Sequence, residues 1–411
     1  MDLSWTKKQL AIRSEFASLG SRTDRSELHL GRQAFDQQTW DQLRDAGLWQ
    51  MIVPQEYGGR GCDWWDFTAA LEGLASTIRT PGLLLSVIAQ AGMVYALDLF
   101  GTRTQKSEYF RRILRGQLSA TAIADPDTGT DVRASSTFLS PRPNETFVLN
   151  GQKYNIAHAP VASFTLVVCK LEGHARDGIS LVLVDQNREG VTIGPQDCKL
   201  GNLDLPTGQL IFEDVPLHYG HILGAPGEGL RNLVRFASLG RLYYGLAASA
   251  LCEPMLAEAL SYAKNRQTFG QPIVDHQYVQ KKLTDIRIGA DTAKWVSYGA
   301  LHQLLNKSPD AVMTCSIAKL AGASAITNGA MDLLKLYGSR GYHEGEVSTF
   351  LRDALAFCSV GGTEEMHRRN IMNQMMRQAR PATKTPQEPA PIWKSVDAEL
   401  ERESMKMEKS C

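Results

Sequence analysis

The sequence has no CxxC pair, no HExxH spacing, no internal repeat and no excess of either charge. The seven cysteines (Cys62, Cys169, Cys198, Cys252, Cys315, Cys358 and Cys411) are scattered and odd in number. That pattern points to reduced thiols rather than a disulfide framework or a zinc site, and no metal is expected. Lys+Arg and Asp+Glu both count 44, so the formal net charge is zero. Such a balance argues against general binding to nucleic acid or to an anionic membrane. The opening MDLSWTKKQLAIRSEF has no apolar signal core, and no apolar run is expected to reach the length of a membrane span. A cytoplasmic location is the expectation. What is present is an ordinary globular composition, 43% hydrophobic and 21% charged. At roughly 150 residues per domain, the length suggests two or three domains.

Periodicity divides the chain. Residues 1–119 read as helical. Phe35 to Leu48 carries Trp40, Leu43 and Leu48 on a helical repeat and breaks at Val53-Pro54 and Tyr57-Gly58-Gly59. Thr80 to Phe100 is apolar enough for a largely buried helix, and Thr104 to Leu114 resumes the pattern after Gly101-Thr102. Residues 120–226 read as a β domain, with runs at Phe164–Cys169, Ile179–Val184, Val191–Ile193 and Gly208–Phe212. Within it, Asn150-Gly151 between Thr146–Leu149 and Gln152–Tyr154 is the signal of a tight hairpin turn, since both residues accept positive φ. Residues 227–380 return to helix at Leu230–Lys264, Val279–Leu305, Asp310–Leu336 and Thr363–Arg377, enough for a four-helix bundle. Residues 381–411 are rich in proline and charge, and a flexible tail is expected there.

Several stretches carry a stronger message in this order. LRDAGLWQMIVPQEYGG (Leu43 to Gly59), FGTRTQKSEYFRRILRGQ (Phe100 to Gln117), ADPDTGTD (Ala124 to Asp131), NRQTFGQPIVDHQ (Asn265 to Gln277), YGSRGY (Tyr337 to Tyr342), FLRDA (Phe350 to Ala354) and FCSVGGTEEMHRR (Phe357 to Arg369) follow one another across most of the chain. Together they resemble the acyl-CoA dehydrogenase superfamily of flavoproteins. The resemblance implies an α+β fold: an N-terminal α-helical domain, a middle β-barrel-like domain and a C-terminal four-helix bundle. It implies an FAD-dependent oxidoreductase, and a homodimer or homotetramer because family members share the cofactor site between subunits.

Carried over residue by residue, the cofactor positions are Ile123, Ala124, Gly129, Thr130, Asn155, Ala157, Arg266, Thr268, Phe269, His276, Gln277, Lys335, Gly338 and Thr363. A guanidinium at Arg266 suits phosphate oxygens, and glycine at Gly129 lets the backbone come close. Four positions depart from the family pattern near the flavin ring. Ala124 replaces a threonine, Asn155-Ile156-Ala157 replaces Trp-x-Thr, and Lys335 replaces a glutamine.

The largest departure concerns the proton-abstracting glutamate, which the family carries in a turn that commonly reads Tyr-Glu-Gly-Thr. Here the frame reads Val360-Gly361-Gly362-Thr363. An alternative family position, just before an arginine of the first long bundle helix, is Gly240 followed by Arg241. Glycine holds no proton, and a general base is worth roughly 10²–10⁴ in rate. One explanation is a displaced base, with Glu364, Glu365, His158, Tyr243, Tyr244, His343 and Glu344 as candidates. A second is a β-keto acid substrate whose decarboxylation makes the carbanion, as described for epoxyketone synthases, with oxygenation coupled to it. Arg241 or Lys335 would then hold the carboxylate or the enolate oxygen. A third is a two-component flavin monooxygenase of the same fold, and a fourth is a non-catalytic scaffold.

Overall fold

The computed structural model describes residues 4–22, 35–61, 63–78, 81–174 and 178–379. The expected tail at 381–411 and the thiols of Cys62 and Cys411 lie outside the described residues. The chain divides into two units, Met1–Asn370 and Ile371–Cys411. The second contributes only residues 371–379 to the description, the end of the last helix.

The N-terminal part is helical: α1 (Lys7–Gly20), α2 (Gln37–Asp45), α3 (Leu48–Ile52), α4 (Trp64–Ala75), α5 (Pro81–Phe100) and α6 (Arg103–Leu114). Thr6 and Thr102 each form a capping box with a glutamine at the start of α1 and α6. The helix expected across Phe35 to Leu48 is two helices. Gly47 sits between them at φ +83, a left-handed value that ends one and turns into the next. α5 also corrects an expectation. By length and composition it is apolar enough to cross a membrane, yet most of it is buried. Its apolar side chains are covered by the other helices, as in a core helix.

The middle part is a seven-stranded sheet of β1 (Ser119–Ala122), β2 (Phe138–Arg142), β3 (Thr146–Ala157), β4 (Phe164–Leu171), β5 (Ile179–Asp185), β6 (Val191–Gln196) and β7 (Thr207–His218). The strand order is β1-β4-β2-β3-β7-β6, with β5 on β4. β1 and β2 run parallel to β4, and the remaining pairs are antiparallel. The expected hairpin at Asn150-Gly151 is absent. β3 runs straight through those residues, and the true β2–β3 reversal comes earlier, with Asn144 and Glu145 at φ +60 and +54. Gly151 instead occupies a β-bulge against β7, at φ +137. A Cβ there would meet Thr137 Cα at 2.6 Å, so glycine serves close strand approach.

The C-terminal part is α7 (Gly229–Asn265), α8 (Gln277–Leu305), α9 (Ala311–Tyr337), α10 (Glu346–Leu355) and α11 (Glu364–Gln378), with a ribbon β8 (Gln267–Thr268) and β9 (Gln271–Pro272) between α7 and α8. α7, α8 and α9 pack on one another as the body of the bundle. Gly245 and Gly322 let α7 and α9 touch backbone to backbone, since a Cβ on Gly322 would meet Gly245 Cα at 2.5 Å. α10 was not expected from periodicity; it packs on α9 and delivers the chain into the glycine turn. The buried apolar side chains form one continuous core from Phe16 to Phe357.

Candidate active site

The glycine turn is built from below. Phe357 is buried, and the fully buried Lys319 on α9 donates its Nζ to the carbonyls of Phe357 (3.0 Å) and Cys358 (3.4 Å). Val360 N and Gly362 N close the turn on the carbonyls of Ala356 (2.9 Å) and Ser359 (3.0 Å). Gly361 (φ +72) and Gly362 (φ +114) take conformations that disfavour side chains. Thr363 then leads into α11, whose first turn bears Glu364 and Glu365.

Gly240 and Gly361 come from elements more than a hundred residues apart, and one ring brings them together. A Cβ built on Gly361 would stand 2.5 Å from Tyr244 Cδ2, and one built on Gly240 would stand 3.6 Å from Tyr244 Cε2. The Tyr244 phenol therefore fills the space a side chain at 361 would enter and borders the space open to one at 240. Desolvation alone raises its pKa to about 12, so at neutral pH it is a neutral phenol.

On the same helix, Arg241 is only 7% exposed. Its Nη2 meets Met366 Sδ at 3.7 Å, and its Nε and Nη1 have no hydrogen-bond partner among the described residues. The neighbouring His367 is fully buried, with neither ring nitrogen bonded. The carbonyls of Gly361 and Gly362 act on that ring without reaching hydrogen-bonding geometry. Burial first, then Arg241 and Lys319, push its pKa down to about 3.

The other candidates for a displaced base are engaged elsewhere or stand exposed to solvent. His158 is buried with Nδ1 on the Ser119 carbonyl at 2.9 Å, and burial lowers its pKa to about 4. Tyr243 is buried against Thr68 Oγ1 (3.1 Å) and the Trp64 carbonyl (3.2 Å). Glu344 makes a two-pronged pair with Arg352, and Glu364 pairs with Arg368. His343 is exposed. Glu365 is exposed at the helix start, where backbone and Thr363 hydrogen bonds lower its pKa and weaken it as a base.

The expected cofactor residues fall in two groups. On the β domain, Lys153 donates to the Ile123 carbonyl (2.8 Å) and pairs with Asp125 at 2.6 Å, both side chains buried. Asp125 also accepts from Ser136 N (2.6 Å) and Thr137 Oγ1 (2.9 Å), and Tyr154 N holds the Ala124 carbonyl at 2.9 Å. This buried frame presents an open loop: Gly129 and Thr130 are exposed, and a Cβ on Gly129 would meet nothing within 4 Å. Asn155 is exposed at φ +54, where β3 shifts register beside Ala157.

On the bundle, Tyr262 and Tyr337 stack at 3.9 Å and join the C-terminal ends of α7 and α9. Arg266 and Gly338 follow directly on those ends. Thr268 Oγ1 lies 3.2 Å from His276 Nε2, Gln277 begins α8, and Phe269 stands 97% exposed. Arg266 is exposed, with no carboxylate partner among the described residues. A solvated guanidinium, a bare aromatic ring and open glycines fit a flat, anionic ligand such as FAD, for which Arg266 and the 129–130 loop would be the groups to hold phosphates. Lys335 is exposed and pairs with Asp332 at 3.6 Å. It lies 16 residues beyond Lys319, about 24 Å along α9 at helical rise. That separation excludes Lys335 as a holder of the substrate carboxylate beside the glycine turn.

Family comparison matches three acyl-CoA dehydrogenase domains in this order: N-terminal over residues 6–117, middle over 120–215 and C-terminal over 227–376. An acyl-CoA dehydrogenase of Bacillus subtilis is 31% identical over 80% of this chain and 87% of its own length. The chain belongs to the acyl-CoA dehydrogenase family. It is accordingly an FAD-dependent oxidoreductase of mixed α+β architecture. The 3-sulfinopropanoyl-CoA desulfinase of Cupriavidus necator is similar at 27% identity, covering 93% of this chain and 96% of that one. The solved butyryl-CoA dehydrogenase of Megasphaera elsdenii superposes with a TM-score of 0.84 at 25% identity, covering 92% of this chain and all of that one.

Sequence reasoning named Tyr244 only as one of several displaced bases. Its place against both glycines was beyond periodicity, because it depends on how the turn docks on α7. His367 was missed altogether; the one available signal was a histidine inside the motif after the turn.

Proposed function

We propose that this protein oxidises an acyl or β-keto acid substrate at its α,β carbons without an enzyme carboxylate, decarboxylation generating the carbanion. The observation that carries this reading is the Tyr244 ring between Gly240 and Gly361. Both positions lack a base, and a half-buried neutral phenol of raised pKa can donate a hydrogen bond but does not take a proton at neutral pH. In the substrate, the bond from the α carbon to the carboxyl carbon breaks, carbon dioxide leaves, and the electron pair remains as an enolate. A fully substituted α carbon needs no proton removed. Bound FAD would accept the hydride that leaves a carbon attached to the former α carbon, such as one of its methyl groups. That carbon is β to the remaining ketone, and an α,β-unsaturated ketone would result. Tyr244 walls the reaction position, Lys319 fixes the turn, and the Asp125–Lys153 frame fixes the cofactor loop.

The Cupriavidus necator relative, named a desulfinase, supports the premise that similar chains carry out chemistry other than plain dehydrogenation. A second reading, a two-component monooxygenase, is favoured by the exposed Asn155 beside Ala157, which leaves open the wall where the resemblance implies the flavin ring. The exposed Phe269 and Arg266 support a cofactor site completed by a second copy of the chain.

The test gives FAD-loaded protein a 2,2-dimethyl-3-oxo acid and a simple acyl thioester of matched length, with and without oxygen. Flavin bleaching and carbon dioxide release are followed together. Bleaching with stoichiometric carbon dioxide from the keto acid alone supports the reading. Equal oxidation of the thioester overturns it, and a strict need for a separate flavin reductase selects the monooxygenase.

A further inference from the structure

Around Arg241 the charge does not balance. Two cationic side chains, Arg241 and Lys319, are buried within one cluster with neutral His367. Lys319 is occupied by two backbone carbonyls. Arg241 is not: among the described residues two of its nitrogens have no hydrogen-bond partner, and the third meets a thioether. The group whose ionisation would favour its charge is the Cys315 thiol, which burial raises to about 12 and so keeps protonated. Glu364 and Glu365 reach Lys319 only through space, from exposed positions. Burying a guanidinium with unmet donors is costly unless an anion joins it. Each guanidinium edge that takes a carboxylate on two oxygens pairs Nη2 with one of the two free nitrogens, Nε or Nη1, so a carboxylate there would displace Met366 Sδ from Nη2.

We propose that Arg241, with His367 beside it, is the subsite for a substrate carboxylate, so that the enzyme selects acids over their esters and amides. This deepens the keto-acid reading and rests on it for the identity of the acid. Gly240 precedes Arg241 on α7, and a Cβ on Gly362, the residue after Gly361, would lie 3.1 Å from His367 Nε2, so the subsite adjoins one position that lacks a base and the turn that carries the other. The charge missing from the protein at those positions arrives with the substrate. Met366 Sδ stands where an oxygen of that carboxylate would be read, 3.7 Å from Arg241 Nη2.

The test uses the full-length FAD-loaded protein and a stable probe, pivalate, with neutral pivalamide and sodium chloride at matched ionic strength as controls. The expected result is a saturable rise in melting temperature and a flavin difference spectrum with pivalate alone. In Arg241→Met the Kd for pivalate should rise roughly 10- to 100-fold, with Arg241→Lys between the two. Met366→Glu places a carboxylate inside the chain at the same donors. It should raise the melting temperature and abolish the response to pivalate, which keeps the proposal falsifiable if Arg241→Met misfolds. Equal responses to pivalate, pivalamide and chloride overturn the subsite, as does an unchanged response in Met366→Glu. Pivalate binding that depends on Arg241, without keto-acid turnover, leaves the subsite standing and removes the decarboxylation. Turnover without such binding does the reverse.

Discussion

Restoring glutamate at position 361 should fail, for a reason that can be worked from the structure. Gly361 has φ +72, where a non-glycine residue costs about 1–2 kcal/mol. Its Cβ would lie 2.5 Å from Tyr244 Cδ2, well inside van der Waals contact, and forcing extra atoms into a packed position costs about 1–3 kcal/mol. Gly361→Glu should therefore lose about 2–5 kcal/mol of unfolding free energy and gain no thioester oxidation. Removing the ring by Tyr244→Val should return the packing share alone, a coupling of about 1–3 kcal/mol in a double-mutant cycle. Urea unfolding of the four proteins measures that coupling, and dye reduction with an acyl thioester measures activity. A Gly361→Glu protein as stable as the parent, or additive effects of the two changes, refutes the steric account. A single Gly361→Glu protein that oxidises thioesters refutes the functional one.

Three further outcomes follow from other parts of the molecule. Lys153→Met leaves Asp125 buried without its partner and should cost about 3–5 kcal/mol, with less FAD retained per chain after gel filtration; Lys153→Met/Asp125→Leu should recover part of the stability. His158 has a folded pKa near 4 against 6.5 when unfolded, so the unfolded chain gains a proton that the native one refuses. Its share of stability is intact above pH 6.5 and falls towards pH 4, by about 1.4 kcal/mol per pH unit, a slope that His158→Gln should lack in acid unfolding curves. Arg266→Ala should weaken FAD binding, read by flavin fluorescence, while leaving the far-ultraviolet circular dichroism unchanged.

Much of the fold was legible because its signals are local. The bundle helices end within a few residues of where periodicity places them, and the β runs at Phe164, Ile179, Val191 and Gly208 all fall on strands. Asn150-Gly151 misled because the residue pair that accepts a tight turn also accepts a bulge; pairing with β7 and the approach of Thr137 decided between them. Of the site, the two glycines could be named from motif frames, but the Tyr244 ring between them could not. Arg241 was legible as a candidate; its missing partners were not, since an absence of carboxylates in space leaves no mark along the chain.

α5 carries a cost that belongs to synthesis rather than to the finished protein. It is as apolar as a membrane span, and one of the surfaces that covers it is α7, which begins well over a hundred residues later. At translation rates of about 5–20 residues per second, α5 waits on the order of ten seconds for that partner. During that interval the nascent chain exposes a segment that membrane-targeting factors and chaperones both recognise by hydrophobicity. Expression yield should therefore respond to α5 polarity and to chaperone supply more than the stability of the folded enzyme would suggest.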